Sequence, residues 1–196
     1  MRVIAGTARS LPLKTPEGQD TRPTTDRIKE TLFNMLQPYL PDCVFLDLFS
    51  GSGQIGIEAL SRGAGHAYFV ENGAKAFDYI RQNIRFTGFE ERATLLKQDV
   101  MGALKTVREK EAGVIFMDPP YGAGLEEKVL DALNGMCYVT EETLIVAEAA
   151  LERDFSFVQE LGYQVIKEKN YKTNKHVFIK KQSAHPQSEA ADTARK

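Results

Sequence analysis

Short apolar runs alternate with amphipathic segments through most of the chain, and this alternation constrains the fold more than any other feature. The runs are rich in β-branched and aromatic residues, which favours buried strands. Five strands are predicted at Val44–Phe49, Ala67–Glu71, Ala93–Leu96, Gly113–Asp118 and Thr143–Glu148. Helical segments follow them, including Ile55–Arg62 and Ala74–Phe86. This order predicts an α/β fold with a doubly wound, mostly parallel sheet, right-handed crossovers and helices on both faces.

The carboxyl-terminal part of the chain departs from this alternation. A helix is predicted around Asp154–Leu161, but no helical segment separates the two apolar runs that follow it, Tyr163–Lys169 and His176–Lys181. Two strands joined by a short loop form an antiparallel hairpin, which brings the predicted sheet to seven strands. The tail from residue 183 has no large apolar side chain and is predicted to be disordered.

The amino-terminal part departs from it as well. Residues 2–5 and 11–15 flank Gly6 and Pro12, which predicts a small β-hairpin. A helix with apolar residues at four-residue spacing follows, and Thr25 or Asp26 is its predicted N-cap. We therefore divide the chain into an N-terminal β-hairpin extension (1–25), a main domain (26–181) and a disordered tail (182–196).

Composition excludes several classes of protein. No stretch of the 196 residues approaches the roughly 18–20 consecutive apolar residues of a membrane span, and the amino terminus lacks the apolar segment of a secretory signal. Two cysteines, Cys43 and Cys137, cannot form a disulfide framework, and three histidines without a CxxC pattern predict no metal site. We expect a monomer in the reducing cytoplasm.

The net charge of −2 conceals an uneven distribution. Residues 1–35 carry a net charge of +2, residues 36–161 carry −9, and residues 162–181 carry +5. A polyanion would be repelled by the middle of the chain and attracted to both ends, if the ends lie close together. The alternative to polyanion binding is that the lysines near the chain ends only keep an edge strand exposed to water.

A glycine-rich loop lies between the first predicted strand and its helix. Gly51, Gly53 and Gly56 match the G-x-G-x-x-G pattern, in which the backbone turns tightly and approaches a ligand. Glu71 follows Gly51 by 20 residues, at the end of the next strand, where a carboxylate can accept both hydroxyls of a ribose. This pattern alone fits an NAD enzyme, a methyltransferase or a turn without a ligand.

Acidic residues at successive strand ends favour a cationic ligand. Asp47 lies near the carboxyl end of the first strand, where it would repel a dinucleotide pyrophosphate and attract the ammonium and sulfonium groups of S-adenosylmethionine. Asp99 follows the third strand and could accept from an adenine amino group. A single carboxylate at a strand end is often a helix cap. The prediction of a cationic ligand therefore rests on the series of carboxylates at three successive strand ends.

The segment Asp118-Pro119-Pro120-Tyr121 directly follows the fourth strand. Two consecutive prolines end a strand and fix its carbonyl groups, because each locks φ and neither donates a hydrogen bond. Asp118 and the Pro119 carbonyl could accept both hydrogens of an exocyclic amine, while Tyr121 offers a face on which a planar base can stack. Alignment of that amine with a methyl donor is then the main catalytic contribution.

These motifs together resemble the class I (Rossmann-like) S-adenosylmethionine-dependent methyltransferases that modify amino groups. The segment 22–34, with Val3-Ile4-Ala5-Gly6 before it, resembles the bacterial RsmD family, which methylates the N2 amine of one guanine in small-subunit (16S) ribosomal RNA. The likeness covers residues 1–181. It implies a catalytic turn formed by Asp118, Pro119, Pro120 and Tyr121. It implies that the cofactor is S-adenosyl-L-methionine, bound by Asp47, Phe49, Ser50, Gly51, Gly53, Glu71, Asn72, Asp99 and Asp118.

The resemblance also implies an RNA partner, either 16S ribosomal RNA or an assembly intermediate of the small subunit. Guanine N2 is blocked by pairing in a duplex, so the target base must be unpaired or flipped into the pocket. Basic residues near both ends are the predicted phosphate contacts: Arg2, Arg9, Lys14, Arg22, Arg27, Lys167, Lys169, Lys172 and Lys175. The final hairpin departs from the family's Tyr-Gly pair, since Lys172 follows Tyr171 here and offers a further phosphate contact.

Three other functions stay open at this point. One is methylation of adenine N6, cytosine N4 or a protein glutamine, although related turns for these substrates usually begin with Asn. Another is an NAD-dependent dehydrogenase, which only the glycine pattern supports. The third is an RNA-binding assembly factor without catalysis. His66, His176 and Cys43 are interpreted as structural or solvated, because no spacing links them to a partner.

Overall fold

The computed structural model describes residues 1–15, 26–120, 122 and 124–182. Within these residues, seven strands form a single sheet. They are β1 (Val44–Asp47), β2 (His66–Val70), β3 (Ala93–Leu96), β4 (Val114–Met117), β5 (Leu144–Ala149), β6 (Tyr163–Asn170) and β7 (Lys175–Lys181). Their order is β3-β2-β1-β4-β5-β7-β6, with β1 to β5 parallel and β7 antiparallel to both of its neighbours. This arrangement confirms the predicted fold class and the antiparallel hairpin.

The described residues contain five α-helices, which lie between or before the strands. They are α1 (Asp26–Leu36), α2 (Gln54–Ser61), α3 (Ala74–Thr87), α4 (Val100–Leu104) and α5 (Leu125–Asn134). Short 3₁₀ helices lie at Gln37–Tyr39, Glu90–Arg92 and Ser156–Gln159. None of these helices combines the length and apolar character that a bilayer span requires, the longest having 14 residues.

The helix predicted around Asp154–Leu161 is wrong in extent, because only the four-residue 3₁₀ helix forms there. Asp154 accepts a hydrogen bond from the Ser156 amide at 3.0 Å, which closes a local turn in place of a longer helix. Gly162, with φ +75°, then turns the chain into β6.

Side chains alternate across the sheet and build a hydrophobic core on each face. Leu46, Ile115 and Ile145 belong to the core that includes α4 and α5. Phe45, Phe116 and Val146 belong to the other core, which includes α1, α2, α3 and part of residues 1–15. The sheet is therefore covered on both faces, as expected for parallel strands.

Residues 1–15 contain one antiparallel bridge, between Arg2 and Pro12, and no strand. The proposed boundary at residue 25, the predicted cap Thr25 and the tail from residue 183 lie outside the described residues. Glu58 of α2 holds the described segment: its fully buried carboxylate accepts from the amides of Ile4 and Ala5, at 2.7 and 3.0 Å. The cations of Lys29 and Arg62 face the same carboxylate, at 3.4 and 2.8 Å.

The contact between α2 and β2 depends on Gly56. A Cβ at this position would lie 2.4 Å from Cε1 of Phe69, whose ring is fully buried. We expect Gly56→Ala to lower the free energy of unfolding by about 1–3 kcal/mol, because the ring must move within a packed core. Urea denaturation measures this change.

Gly135→Ala is the matched control for that substitution. Gly135 has φ −84°, and its added Cβ would meet only the Ala132 carbonyl oxygen, at 3.8 Å. Its stability should stay within about 0.5 kcal/mol of the parent or rise slightly. Equal losses for the two variants would contradict the packing role assigned to Gly56.

Candidate active site

The carboxyl ends of the five parallel strands meet at one edge of the sheet, and each of them brings an acidic side chain close to that edge, Asp99 doing so at β3. Asp47 is the last residue of β1, and Glu71 and Asp118 directly follow β2 and β4. Glu148 is the penultimate residue of β5. Ligands of open α/β sheets bind outside this edge, so this acidic edge is the candidate active site.

The glycine loop adopts the conformation that its sequence predicts. Gly51 and Gly53 have φ of +56° and +80°, a region that favours glycine. The Gly53 amide donates to the Ser50 carbonyl at 2.7 Å, and the Ser50 hydroxyl donates to the Asp47 carbonyl at 2.8 Å. A Cβ at Gly51 would have no atom within 4 Å, so open space lies beside the loop backbone.

Asp47 is almost completely buried beneath this loop. One of its carboxylate oxygens accepts the Gly56 amide at 3.0 Å. Burial raises the pKa of Asp47 to about 7, with a smaller contribution from the charge of Glu71, although the Gly56 hydrogen bond opposes the shift. Removal from water makes this carboxylate a strong attractor for a cation in the loop.

Glu71 holds the glycine loop from the neighbouring strand. Its two carboxylate oxygens accept from the amides of Gly51 and Gly73, at 3.0 and 2.7 Å. Each oxygen keeps a second acceptor position. Sequence reasoning predicted contact with a ribose but not this loop-fixing role; Asn72, beside it, is exposed.

Asp99 is the N-cap of α4, and its Oδ1 accepts the Gly102 amide at 3.0 Å. A carboxylate in this position satisfies an amide that a helix end leaves free. Asp99 is exposed at the β3 end of the same edge, and its Oδ1 is the oxygen that caps the helix. Its contact with an adenine stays a prediction.

Asp118 lies between two other carboxylates. Burial and then the charges of Glu148 and Asp47 raise its pKa to about 8. The register explains the proximity: Asp47 pairs with Phe116, two residues before Asp118 on the same face of β4. The carboxyl ends of the first and fourth strands therefore lie side by side. Pro119 is buried and Pro120 exposed, while Tyr121 lies outside the described residues.

A buried polar cluster at the end of β5 was missed by sequence reasoning. His176, which was interpreted as structural or solvated, has no exposed surface, and its Nε2 lies 3.0 Å from Oε2 of Glu148. The Tyr171 hydroxyl lies 3.2 Å from Nδ1 of the same ring, and Asn174 donates to the other oxygen of Glu148. Glu148 could have been found as the fifth acidic residue close to a strand end.

The structure places part of the predicted RNA-binding set beside this edge. Lys167, Lys169 and Lys172 are exposed, and the β6–β7 turn lies at the same edge because Lys175 pairs with Ala149 of β5. Lys175, unlike these three lysines, is buried: it is 7% exposed, and its ammonium group lies 3.2 Å from the Glu168 carboxylate. That ion pair leaves Lys175 poorly placed for phosphate.

The front basic residues are also exposed where they are described. Arg2 pairs with Asp26 at 2.9 Å, while Arg9 and Arg27 are exposed; Arg22 lies outside the described residues. Lys14 lies close to the glycine loop, because Asn83 donates to the carbonyls of both Lys14 and Ser52, each at 2.9 Å.

The chain matches a family model described as conserved hypothetical protein 95 over residues 1–180. The Bacillus subtilis protein YlbH is 40% identical over 150 residues, which cover 76% of this chain and 82% of the relative. Ribosomal RNA small subunit methyltransferase D of Escherichia coli K12 is 35% identical, over 78% of this chain and 76% of that protein.

A solved structure extends this similarity to three dimensions. The Escherichia coli protein yhhF superposes with a TM-score of 0.82 and 31% identity, covering 93% of this chain and 98% of the other. The family match and these relatives agree with the motifs at the carboxyl edge. The chain therefore belongs to the family described as conserved hypothetical protein 95, with ribosomal RNA small subunit methyltransferase D among its relatives, which confirms the RsmD-family resemblance.

Proposed function

We propose that this protein is an S-adenosylmethionine-dependent methyltransferase that modifies the exocyclic N2 amine of a guanine in small-subunit ribosomal RNA. The observation that carries the proposal is the position of Asp47 and Asp118 at the neighbouring carboxyl ends of β1 and β4, close enough for their charges to interact. The first suits a cationic methyl donor and the second an amine. The names of its relatives, which include ribosomal RNA small subunit methyltransferase D, support ribosomal RNA as the substrate class.

The residues present fit a cationic cofactor. Among the described residues, Asp47, Glu71 and Asp118 form no ion pair with lysine or arginine, so their negative charge is available to a ligand. S-adenosylmethionine would supply an activated methyl group together with two positive charges. Asp47 and the loop backbone at Gly51 and Gly53 would hold its methionine end, with help from Phe49 and Ser50. Glu71 and Asn72 would hold its ribose, and Asp99 its adenine.

Asp118 and the Pro119 carbonyl would hold the target amine. Both are acceptors, and an exocyclic amine presents two hydrogens to them, so the nitrogen lone pair is directed toward the methyl group. Tyr121 would stack on the base. Pre-organised acceptors in a partly dehydrated site are the main source of rate acceleration in this arrangement.

Incubation with methyl-labelled S-adenosylmethionine tests the function. Small ribosomal subunits, bare 16S RNA and a protein extract are offered separately, and the labelled nucleotide or residue is mapped. We expect label in one guanine as N2-methylguanine. Label in adenine, cytosine or glutamine would overturn the assignment of the substrate, and binding of NADH without methyl transfer would overturn the assignment of the reaction.

Lys169→Glu tests the proposed RNA contact. Lys169 is exposed close to the β6–β7 turn, beside the acidic edge, so reversal of its charge should weaken RNA binding several-fold and lower the salt dependence by about one counterion. Affinity for S-adenosylhomocysteine should stay unchanged. Filter binding at several salt concentrations and calorimetry measure the two quantities; Lys172→Glu should behave alike.

Lys110→Glu is the matched control for the lysine substitution. Lys110 is exposed in the loop that precedes β4, at the opposite edge of the sheet. Its reversal should change RNA affinity little. A loss equal to that of Lys169→Glu would mean that only overall charge matters, and loss of cofactor binding in Lys169→Glu would remove the hairpin from the proposed RNA surface.

A further inference from the structure

Glu148 ends the row of carboxylates at the active-site edge, and nothing in the proposed mechanism uses it. It is 7% exposed and lies opposite His176 in the antiparallel register of β5 and β7. His176 and Asn174 each contact one of its oxygens, and both residues are more than nine-tenths buried. The Glu148 carboxylate is thus removed from water, and its hydrogen-bond partners His176 and Asn174 hold it in one position.

The tautomer of His176 follows from these contacts. A carboxylate only accepts hydrogen bonds, so Nε2 of His176 carries the hydrogen that faces Glu148. Nδ1 can then accept from the Tyr171 hydroxyl at 3.2 Å. Tyr171 and His176 also pack edge to face, with ring centroids 5.0 Å apart. These two contacts link Tyr171, His176 and Glu148 in series, and they hold the glutamate in place from the β6–β7 hairpin.

The register brings Glu148 beside Asp118. Met117 of β4 pairs with Ala147 of β5, so the next residues, Asp118 and Glu148, are neighbours with side chains on the same face. On the other side of β4 lies β1, whose Asp47 is close enough for its charge to act on Asp118.

Lys175, the charged residue next to His176 in the hairpin, lies away from Asp118. Lys175 precedes His176 and therefore points to the opposite face, where its ammonium meets Glu168 at 3.2 Å and the Phe155 ring at 5.7 Å. The groups that face Asp118 from the packed elements are thus Asp47 and Glu148, with His176 and Tyr171 behind the glutamate.

We propose that Glu148 is a positioning residue of the active site, held by His176 and Asn174 so that its charge prepares Asp118 to take up the proton that the target amine loses. This proposal rests on the proposed function. The amine lone pair forms the new nitrogen–carbon bond while the carbon–sulfur bond of the methyl donor breaks, its electron pair staying on sulfur. The nitrogen then carries a positive charge, and one of its protons moves to the Asp118 carboxylate and later to water.

The electrostatics of the free protein agree with this role. A second negative charge beside Asp118 makes its ionised form less favourable, and burial acts in the same direction, so its pKa lies near neutrality instead of near 4. An acceptor of this strength matches a proton transfer at physiological pH. Below its pKa, Asp118 carries a proton and is a poor acceptor for the amine, so activity should fall on the acid side.

The pH dependence of kcat/KM in Glu148→Gln tests the proposal, because this quantity reports ionisations of the free enzyme. The neutral side chain keeps the shape of glutamate but removes the charge that faces Asp118. The acid limb should move to lower pH by about one unit, and the rate at the plateau should fall, since Asp118 becomes a weaker proton acceptor. Glu148→Asp retains the charge and should keep the limb near that of the parent.

Glu142→Gln is the control, because Glu142 is an exposed carboxylate before β5 and its loss should leave the limb in place. If Glu148→Gln does not fold, Glu148→Met offers a second neutral side chain of similar length. An unmoved limb in the folded neutral variant, or an equal movement in Glu142→Gln, overturns the proposal.

A readout without catalysis separates this proposal from the proposed function. Carbon-13 NMR of the Asp118 carboxyl in the ligand-free protein should show its titration moving to lower pH in Glu148→Gln. An unchanged titration overturns the role of Glu148. A shifted titration in a protein that methylates no RNA supports the electrostatic link between Glu148 and Asp118, and in that case the proposed function fails instead.

Discussion

Asp118→Ala should lower kcat for methyl transfer by about 100-fold to 1,000-fold, a loss of the size expected when a pre-organised hydrogen-bond partner of the reacting group is removed. The substitution removes the acceptor that orients the amine and takes up its proton. It also removes a negative charge from a site that contains Asp47 and Glu148. Single-turnover methylation of the small ribosomal subunit measures the change in rate.

The affinity of Asp118→Ala for S-adenosylhomocysteine should stay within a few-fold of the parent, because this thioether lacks the sulfonium charge that Asp118 would attract and the loop around Gly51 and Gly53 is built by β1 and α2. Relative to the parent, its stability should rise between about pH 4 and pH 8 and stay higher above pH 8, because the parent carboxyl, whose pKa folding raises from 3.8 to about 8, favours the folded state only while protonated. A variant that is destabilised at pH 9, or that methylates RNA at the parent rate, would contradict the assigned role of Asp118.

Glu58→Gln should lower the free energy of unfolding by about 3–5 kcal/mol, the largest stability effect expected in this protein. The carboxylate has no exposed surface and faces Lys29, Arg62 and the amides of Ile4 and Ala5. Glutamine has nearly the same shape, so no cavity forms. The glutamine removes the negative charge that faces the buried cations of Lys29 and Arg62. Its NH₂ group is also a hydrogen-bond donor, and it is placed among groups that are themselves donors. Thermal and urea denaturation at pH 7 measure the loss.

Asp78→Asn is the matched control for the loss of an ion pair. Asp78 pairs with Arg81 on the surface of α3, and the two side chains are 55% and 68% exposed. Removal of this charge should cost about 0.5 kcal/mol or less, because water screens exposed pairs. If Glu58→Gln were no more destabilising than Asp78→Asn, the buried carboxylate would not be holding residues 1–15 on the domain.

The strands and the positions of the acidic residues could be predicted from sequence because both depend on local patterns. A buried parallel strand is a short apolar run, and β1 to β5 were each located to within two residues of their ends. The carboxyl ends of parallel strands lie at one edge in any such fold, so Asp47, Glu71 and Asp118 could be assigned to one site before the sheet order was known.

Contacts between residues distant in sequence required the tertiary structure. The pairing of Glu148 with His176 depends on the register of β7 against β5, and His176 has no pattern that reveals its partner. Lys175 was predicted to contact phosphate, yet its register position directs it toward Glu168 and Phe155. A shift of one residue in an antiparallel strand exchanges its two faces, so such assignments cannot follow from spacing alone.

The sequence by itself determined the layered α/β fold, the glycine loop and the acidic strand ends, because apolar runs, glycines and prolines restrict the backbone locally. Only the tertiary structure decided which charges lie close enough to interact. It places the Glu58 carboxylate against two buried cations, and it places Asp118 between Asp47 and Glu148. The physical reason is that electrostatic interactions depend on distance and burial, and the strand order and register of the folded sheet set both.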